Sequence, residues 1–257
     1  MSKSLLQIDR LISGYVHDVP IIRELSMDVQ TGSAVGIVGR NGAGKSCLAG
    51  TLAGLRATTA GDIRLGNTSL HGATARQRVR RGLALVPEGR RIFAQLTVLE
   101  NLQTAAYGAG LKLRSEMLDE VTTQFPVLGT KIDHRAGGMS GGEQQWLAIA
   151  RALVQQPQVI VLDEPSLGLS PVAVEGLVEA LNTIRGRGVA LLLMEQSPTL
   201  LRGVCEIVHS LDRGVITQTR KTADLSSDDD LLDVILGVET PESGPDASGQ
   251  PVRKAHL

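Results

Sequence analysis

The chain has 257 residues, 42% of them hydrophobic and 21% charged, with a formal net charge of −1. That length buries a core for one large domain or two small ones, and the near-zero charge gives no electrostatic reason to expect nucleic acid or an anionic membrane surface as a direct partner. Two cysteines, Cys47 and Cys205, do not make a disulfide framework, and a reducing cytosol is the expected compartment.

The opening decapeptide MSKSLLQIDR has neither an apolar core nor a small-residue cleavage site, so secretion is not expected. Residues 5–28, with Gly14 and Asp18-Val19-Pro20 as turn signals, and residues 61–70, with Gly66-Asn67, look hairpin-like. Together they predict an antiparallel flap beside the main sheet. Short apolar runs at 34–38, 83–86, 159–162, 189–194 and 207–211 predict strands. Such runs, alternating with longer amphipathic stretches, indicate a mainly parallel α/β sheet covered on both faces. Helices are expected over 45–55, 142–154 and 171–185, the last with Pro171 in its first turn, where a missing N–H costs nothing. The polar, helical pattern from 100 to 134 predicts a separate lobe, roughly within 89–157. Residues 240–257, rich in Pro, Gly, Ser and charge, are expected to be disordered, leaving 1–239 as the folded domain. No apolar run approaches the ~20 residues of a bilayer span.

Three motifs carry the chemistry. Gly39-Arg40-Asn41-Gly42-Ala43-Gly44-Lys45-Ser46 fits the phosphate-loop pattern G-x-x-x-x-G-K-[ST] at every fixed position. Glycines let the backbone curl so that its N–H groups face phosphate oxygens, and the helix that follows presents its positive end. Lys45 supplies a cation to the β/γ-phosphates and Ser46 a hydroxyl to Mg²⁺. The run 159–162 ends in Asp163-Glu164, an arrangement suited to holding Mg²⁺ through water and polarising an attacking water. Met139-Ser140-Gly141-Gly142-Glu143-Gln144-Gln145 forms a second anion-binding helix start. One ATP needs only one such end, so the economical arrangement is a dimer with each ATP between the loop of one chain and the second site of the other.

This set, in this order, resembles an ATP-binding cassette subunit of an ABC transporter over residues 5–238. The resemblance implies the cassette form of the phosphate-loop fold, with a helical lobe and an antiparallel β flap. It implies a nucleotide site of Tyr15, stacked on adenine, with Gly39, Asn41, Gly42, Ala43, Gly44, Lys45, Ser46 and Cys47 from the Walker A loop. Ser140, Gly141 and Gly142 would complete the site across the dimer. Ser46 and Asp163 would hold Mg²⁺, and Glu164 would act as general base. Residues 166–170 stand where the family has its D-loop.

Three departures narrow the subfamily. Where most cassettes have a glutamine between the lobes, this chain has Glu88, in V-P-E-G-R-R-I-F. Gln196 replaces the switch histidine, and Ser170 the D-loop aspartate. With D-E-P-S-L-G-L and M-E-Q, these segments resemble the LivF-type ATPase of branched-chain amino acid importers, whose urea and short-chain amide relatives are similar here. Gln196 would donate an amide hydrogen bond to the γ-phosphate without an imidazolium's charge. Glu88 would be a metal ligand or an anchor for the loop that meets the membrane partner. Glu88, Arg90, Arg91 and Phe93 lie where the family docks a permease subunit. The resemblance further implies a cytoplasmic subunit on the inner face of the membrane, paired with a sister ATPase or itself, and served indirectly by a periplasmic solute-binding protein.

Other classes fit less well. Thr130-Lys131-Ile132-Asp133 imitates a guanine-recognition motif, but no apolar strand leads into it. A kinase has no use for the second anion site. Translation and repair cassettes would bring a second motif set or a coiled-coil insertion, and the chain has neither. His134 and His209 have no metal-ligand cluster around them in sequence.

Overall fold

The computed structural model describes residues 4–16 and 19–225, together with 227, 230, 231 and 234. Asp18 of the expected first turn and the segment 240–257 lie outside the described residues. The strands are β1 Ser4–Ser13, β2 Ile22–Gln30, β3 Ala34–Val38, β4 Thr58–Leu65, β5 Thr68–Ser69, β6 Leu83–Val86, β7 Val159–Asp163, β8 Ala190–Met194, β9 Ile207–Asp212 and β10 Val215–Lys221. The α-helices are α1 Lys45–Leu52, α2 Ala75–Arg80, α3 Val98–Gly108, α4 Ser115–Gln124, α5 Pro126–Thr130, α6 Gly141–Leu153, α7 Pro171–Gly186 and α8 Pro198–Val204.

A six-stranded sheet runs β10-β9-β3-β8-β7-β6, parallel except where β10 returns antiparallel on β9. Every residue of β3, β7 and β8 is buried, because alternate side chains enter two different cores. Val38, Ile160, Leu162, Leu191 and Leu193 join a core that also takes in side chains of α3, α4, α5, α6, α7 and α8. Ile37, Val161, Leu192 and Met194 join the core with α1 and the second sheet. A strand covered on both faces must be apolar throughout, and this is why those runs are unbroken in the sequence. The second sheet is antiparallel, in the order β2-β1-β4-β5, with the β4–β5 return at Gly66-Asn67. It is the expected flap.

The differences from the sequence reading are local. Helix α1 stops at Leu52 rather than residue 55, since Ala53 caps it and Gly54 turns left-handed at φ +75°. Helix α6 starts at Gly141, one residue early, because Ser140 caps it reciprocally with Glu143. Strand β10 went unpredicted. Its alternating exposure reflects an edge strand with mixed polarity rather than an apolar run. Among the described residues no helix is long and apolar enough to cross a membrane.

Candidate functional site

The C-terminal ends of parallel strands are where an open α/β sheet presents its loops to ligands. Here β3 delivers residues 39–44, β6 the loop from Pro87, β7 Glu164 onwards and β8 residues 195–197. The loop after β3 curls through Gly42 at φ +86° and Gly44 at φ +116° into the first turn of α1. A side chain at Gly39 would run into the carbonyl oxygen of Leu211, its Cβ only 2.3 Å away. The glycine is therefore required by packing against β9 as well as by the turn.

Lys45 is buried, and its Nζ donates to the Gly39 carbonyl at 2.8 Å while lying 3.3 Å from Glu164 Oε1. Ser46 Oγ donates to Asp163 Oδ1 at 3.2 Å. Gln196 Nε2 donates to Glu164 Oε1 at 2.9 Å and to Asn41 Oδ1 at 3.1 Å. Glu164 adopts a left-handed φ of +48°, a strained backbone of the kind that persists where surroundings hold it. The structure thus brings Asn41, Lys45, Ser46, Asp163, Glu164 and Gln196 into one constellation.

Burial pushes the Asp163 carboxyl up to about 6. The Ser46 hydrogen bond opposes this, the neighbouring carboxylates of Glu88 and Glu164 add to it, and Lys45 works against it. Carboxylates crowded together with one buried lysine form a set of hard oxygen donors short of positive charge, which fits a divalent cation. No group of three or more His, Cys, Asp or Glu side chains among the described residues forms a protein-only metal cage. The donor set suits an ion that keeps water and phosphate oxygens in its shell, as Mg²⁺ does.

Two open clefts flank the loop. One, about 520 Å³, is lined by Tyr15, Asn41, Gly42, Gly44, Lys45, Ser46, Cys47, Glu88 and Glu164, among others. The other, about 650 Å³, shares Tyr15, Ser46 and Glu88 and extends to Arg56, Arg90, Arg91 and Arg151. The Cys47 side chain is itself buried, so only its backbone is placed to serve a ligand. Tyr15 is 59% exposed, but Arg56 sits over one ring face, 3.8 Å from the centroid. Ala43 is buried within the loop and lines neither cleft.

Ser140, Gly141 and Gly142 line neither cleft. The start of α6 thus takes no part in either cleft beside the phosphate loop of its own chain. Arg90 points toward it: a Cβ added at Gly141 would stand 3.0 Å from Arg90 Nη2. Gly89, Arg90 and Arg91 are consecutive left-handed residues, at φ +72°, +66° and +48°. Arg151 of α6 pins that strained loop by donating to the Arg91 carbonyl at 2.7 Å and stacking on Phe93 at 4.7 Å. Phe93 remains 44% exposed. The guanine-like tetrapeptide has a structural use, since Lys131, at the end of α5, pairs with Glu143 at 2.6 Å and ties α5 to the start of α6.

One residue at the site was passed over in the sequence. Glu195 is buried, yet its carboxylate accepts three backbone N–H groups, from Gln196 at 2.6 Å, Ser197 at 2.9 Å and Ser166 at 3.2 Å. A single acidic residue beside Gln196 carries no pattern that would mark it.

The family described as ABC transporter matches residues 22–167. A high-affinity branched-chain amino acid transport ATP-binding protein of Pseudomonas aeruginosa, BraG, is 36% identical over 91% of this chain and 100% of its own length. A probable branched-chain amino acid transport ATP-binding protein of Archaeoglobus fulgidus, LivF, is 34% identical over 75% of this chain and 82% of its own. Among solved structures, a bacterial ABC transporter cassette described as dimeric superposes with a TM-score of 0.75. It is 20% identical and covers 85% of this chain and 99% of that one.

Proposed function

This chain belongs to the ABC transporter ATP-binding family and is an ATPase subunit, and from that premise we propose that it powers a membrane importer for branched-chain amino acids. The observation that carries the ATPase chemistry is the convergence of Lys45, Ser46, Asp163, Glu164 and Gln196 on one loop. Gly39 to Cys47 would hold the phosphates of ATP through backbone N–H groups, with Tyr15 offering adenine its free face. Glu164 would orient and deprotonate the attacking water, and Gln196 would steady the γ-phosphate by its amide. Ser46 and Asp163, with Glu88 beside them, would hold Mg²⁺, which when bound neutralises charge on the β/γ-oxygens. Water attacks the γ-phosphorus, the bond to the β-bridging oxygen breaks, and ADP and phosphate leave.

The placement of Ser140, Gly141 and Gly142 away from the chain's own loop supports a dimer in which they complete the site of a second cassette, a sister subunit or another copy. The solved cassette described as dimeric is in keeping with this reading. Glu88, Arg91 and the exposed Phe93 offer a face to permease subunits, with Arg90 turned inward toward Gly141. Residues 1–239 would form the ATPase domain, held at the inner face of the membrane by those subunits, with a periplasmic solute-binding protein acting through them. The substrate class follows the two relatives named for branched-chain amino acid transport. Deleting the gene should abolish high-affinity uptake of leucine, isoleucine and valine while urea and amide uptake persist. Loss confined to urea or amides would overturn the substrate assignment.

A further inference from the structure

Strands β7 and β8 are parallel neighbours with Asp163 level with Met194, so the loops leaving them start side by side. The Glu164 N–H bonds the Met194 carbonyl at 2.8 Å, and the Glu195 N–H bonds Ile37 at 3.1 Å. Beyond that point no strand pairing holds either loop. The Glu195 carboxylate takes over. Oε1 accepts from Gln196 and Ser197, and Oε2 accepts from Ser166. One side chain thereby joins the segment carrying Gln196 to the segment following Glu164.

Glu195 is 2% exposed and forms no salt bridge with Lys, Arg or His among the described residues. A buried carboxylate without a counterion is costly, and its backbone donors are what offset that cost. An aliphatic residue would fill the space at less expense but would leave those N–H groups unsatisfied. Glutamine would turn an amide donor toward groups that are themselves donors. The chemistry demands an acceptor-only side chain long enough to reach both loops.

We propose that Glu195 is a positioning residue for ATP hydrolysis: by clamping Gln196, Ser197 and Ser166 it fixes the 2.9 Å contact between Gln196 and Glu164. The proposal rests on the reading of Glu164 and Gln196 as the groups that meet the attacking water and the γ-phosphate. Glu195 touches neither. It acts through the geometry of the two loops, and a contact made across the dimer by residues 166–170 would reach Gln196 through the same carboxylate.

The test is a double-mutant cycle of Glu195→Gln and Gln196→Ala in the full-length chain with the subunits that co-purify with it. MgATP affinity, steady-state hydrolysis and melting temperature are measured for each. Glu195→Gln is expected to lower kcat roughly ten-fold or more with MgATP affinity within about three-fold, because positioning affects the chemical step rather than binding. In the Gln196→Ala background the same change should cost less than about two-fold, since coupled residues are non-additive. Glu195→Asp, which keeps the charge and shortens the reach, should fall between, and it carries the test should the glutamine variant fail to fold. Full additivity, or a parental rate for Glu195→Gln, overturns the positioning role while leaving Gln196 in place. A parental rate for Gln196→Ala overturns the reading of Gln196 itself, and the proposal with it.

Discussion

Replacing Asp163 with asparagine should stabilise the metal-free protein while destroying its activity. The folded carboxyl titrates at about 6 rather than 3.8, through burial first and then the carboxylates of Glu88 and Glu164. Between those two pH values the native state holds a proton that the unfolded chain has released. Stability from this group therefore falls as pH rises through the window, and the whole deficit remains above about 6. A rise of about two units corresponds to roughly 3 kcal/mol, and relaxation of the site brings the expected gain on removing the charge to about 1–3 kcal/mol. Asparagine keeps the shape and can still accept from Ser46, so the charge is what changes. Urea unfolding in EDTA at pH 7.5 should show Asp163→Asn more stable than the parent, with the gap closing toward pH 4. With MgATP present the order should reverse, because the parent gains ligand binding that the variant loses. An equal or lower stability for the variant at pH 7.5 without metal would refute the view of a carboxylate held at a loss for a cation.

Three further outcomes follow from named contacts. Glu164→Gln should retain MgATP and lose hydrolysis by ~100-fold or more; hydrolysis within about ten-fold of the parent would remove Glu164 as the general base. Tyr15→Leu should weaken nucleotide binding roughly 3–10-fold, the scale of one aromatic stack, while Arg56→Ala changes it less than about two-fold if adenine takes the face opposite Arg56; fluorescent-nucleotide titration distinguishes them, and the reverse ranking would place adenine elsewhere. Arg78 is buried and donates to the carbonyls of Thr51, Leu52, Leu70 and Ala73, closing the end of α1. Arg78→Met should cost about 2–4 kcal/mol in urea unfolding by stranding those acceptors; a cost below about 1 kcal/mol would show that water replaces the guanidinium.

What the sequence discloses depends on how many residues a physical demand spreads over. The parallel core is legible because burial on both faces forces five consecutive apolar residues in β3 and β8. The phosphate loop is legible because its curl needs several glycines at fixed spacing. The cap of α6 is written in the sequence as Ser140 and Glu143 three residues apart, but the flanking glycines hide it and the expected helix starts one residue late. Glu195 and Arg78 are not, since each meets its demand alone and a single charged residue in the sequence is ordinarily a solvated one. Strand β10, V-I-T-Q-T-R-K, is hidden for a different reason: at the sheet edge its side chains are never fully buried, so no apolar period builds up. The contact of Arg56 with Tyr15 joins residues 41 positions apart on different loops, and no local pattern encodes it.

The charge balance at the loop explains why these pieces are arranged as they are. Lys45 is the buried cation, and Glu164 already engages it at 3.3 Å. Asp163 and Glu88 add negative charge on the same side, and the carboxylates of Glu88 and Glu164 add to the burial that raises Asp163. A bare triphosphate would meet that carboxylate field as a like charge, whereas a triphosphate carrying a divalent ion would offer positive charge to the proposed metal-holding residues Asp163 and Ser46 and oxygens to Lys45. In the proposed role of Lys45, phosphate would compete with Glu164 for the lysine and leave Glu164 its contact with Gln196. The proposed clamp of Glu195 on Gln196 and Ser197 would then set where a freed Glu164 carboxylate points. In this arrangement a neutral glutamine at 196 is chemically consistent, because its 2.9 Å contact would hold the proposed base Glu164 without supplying a charge that neutralises it.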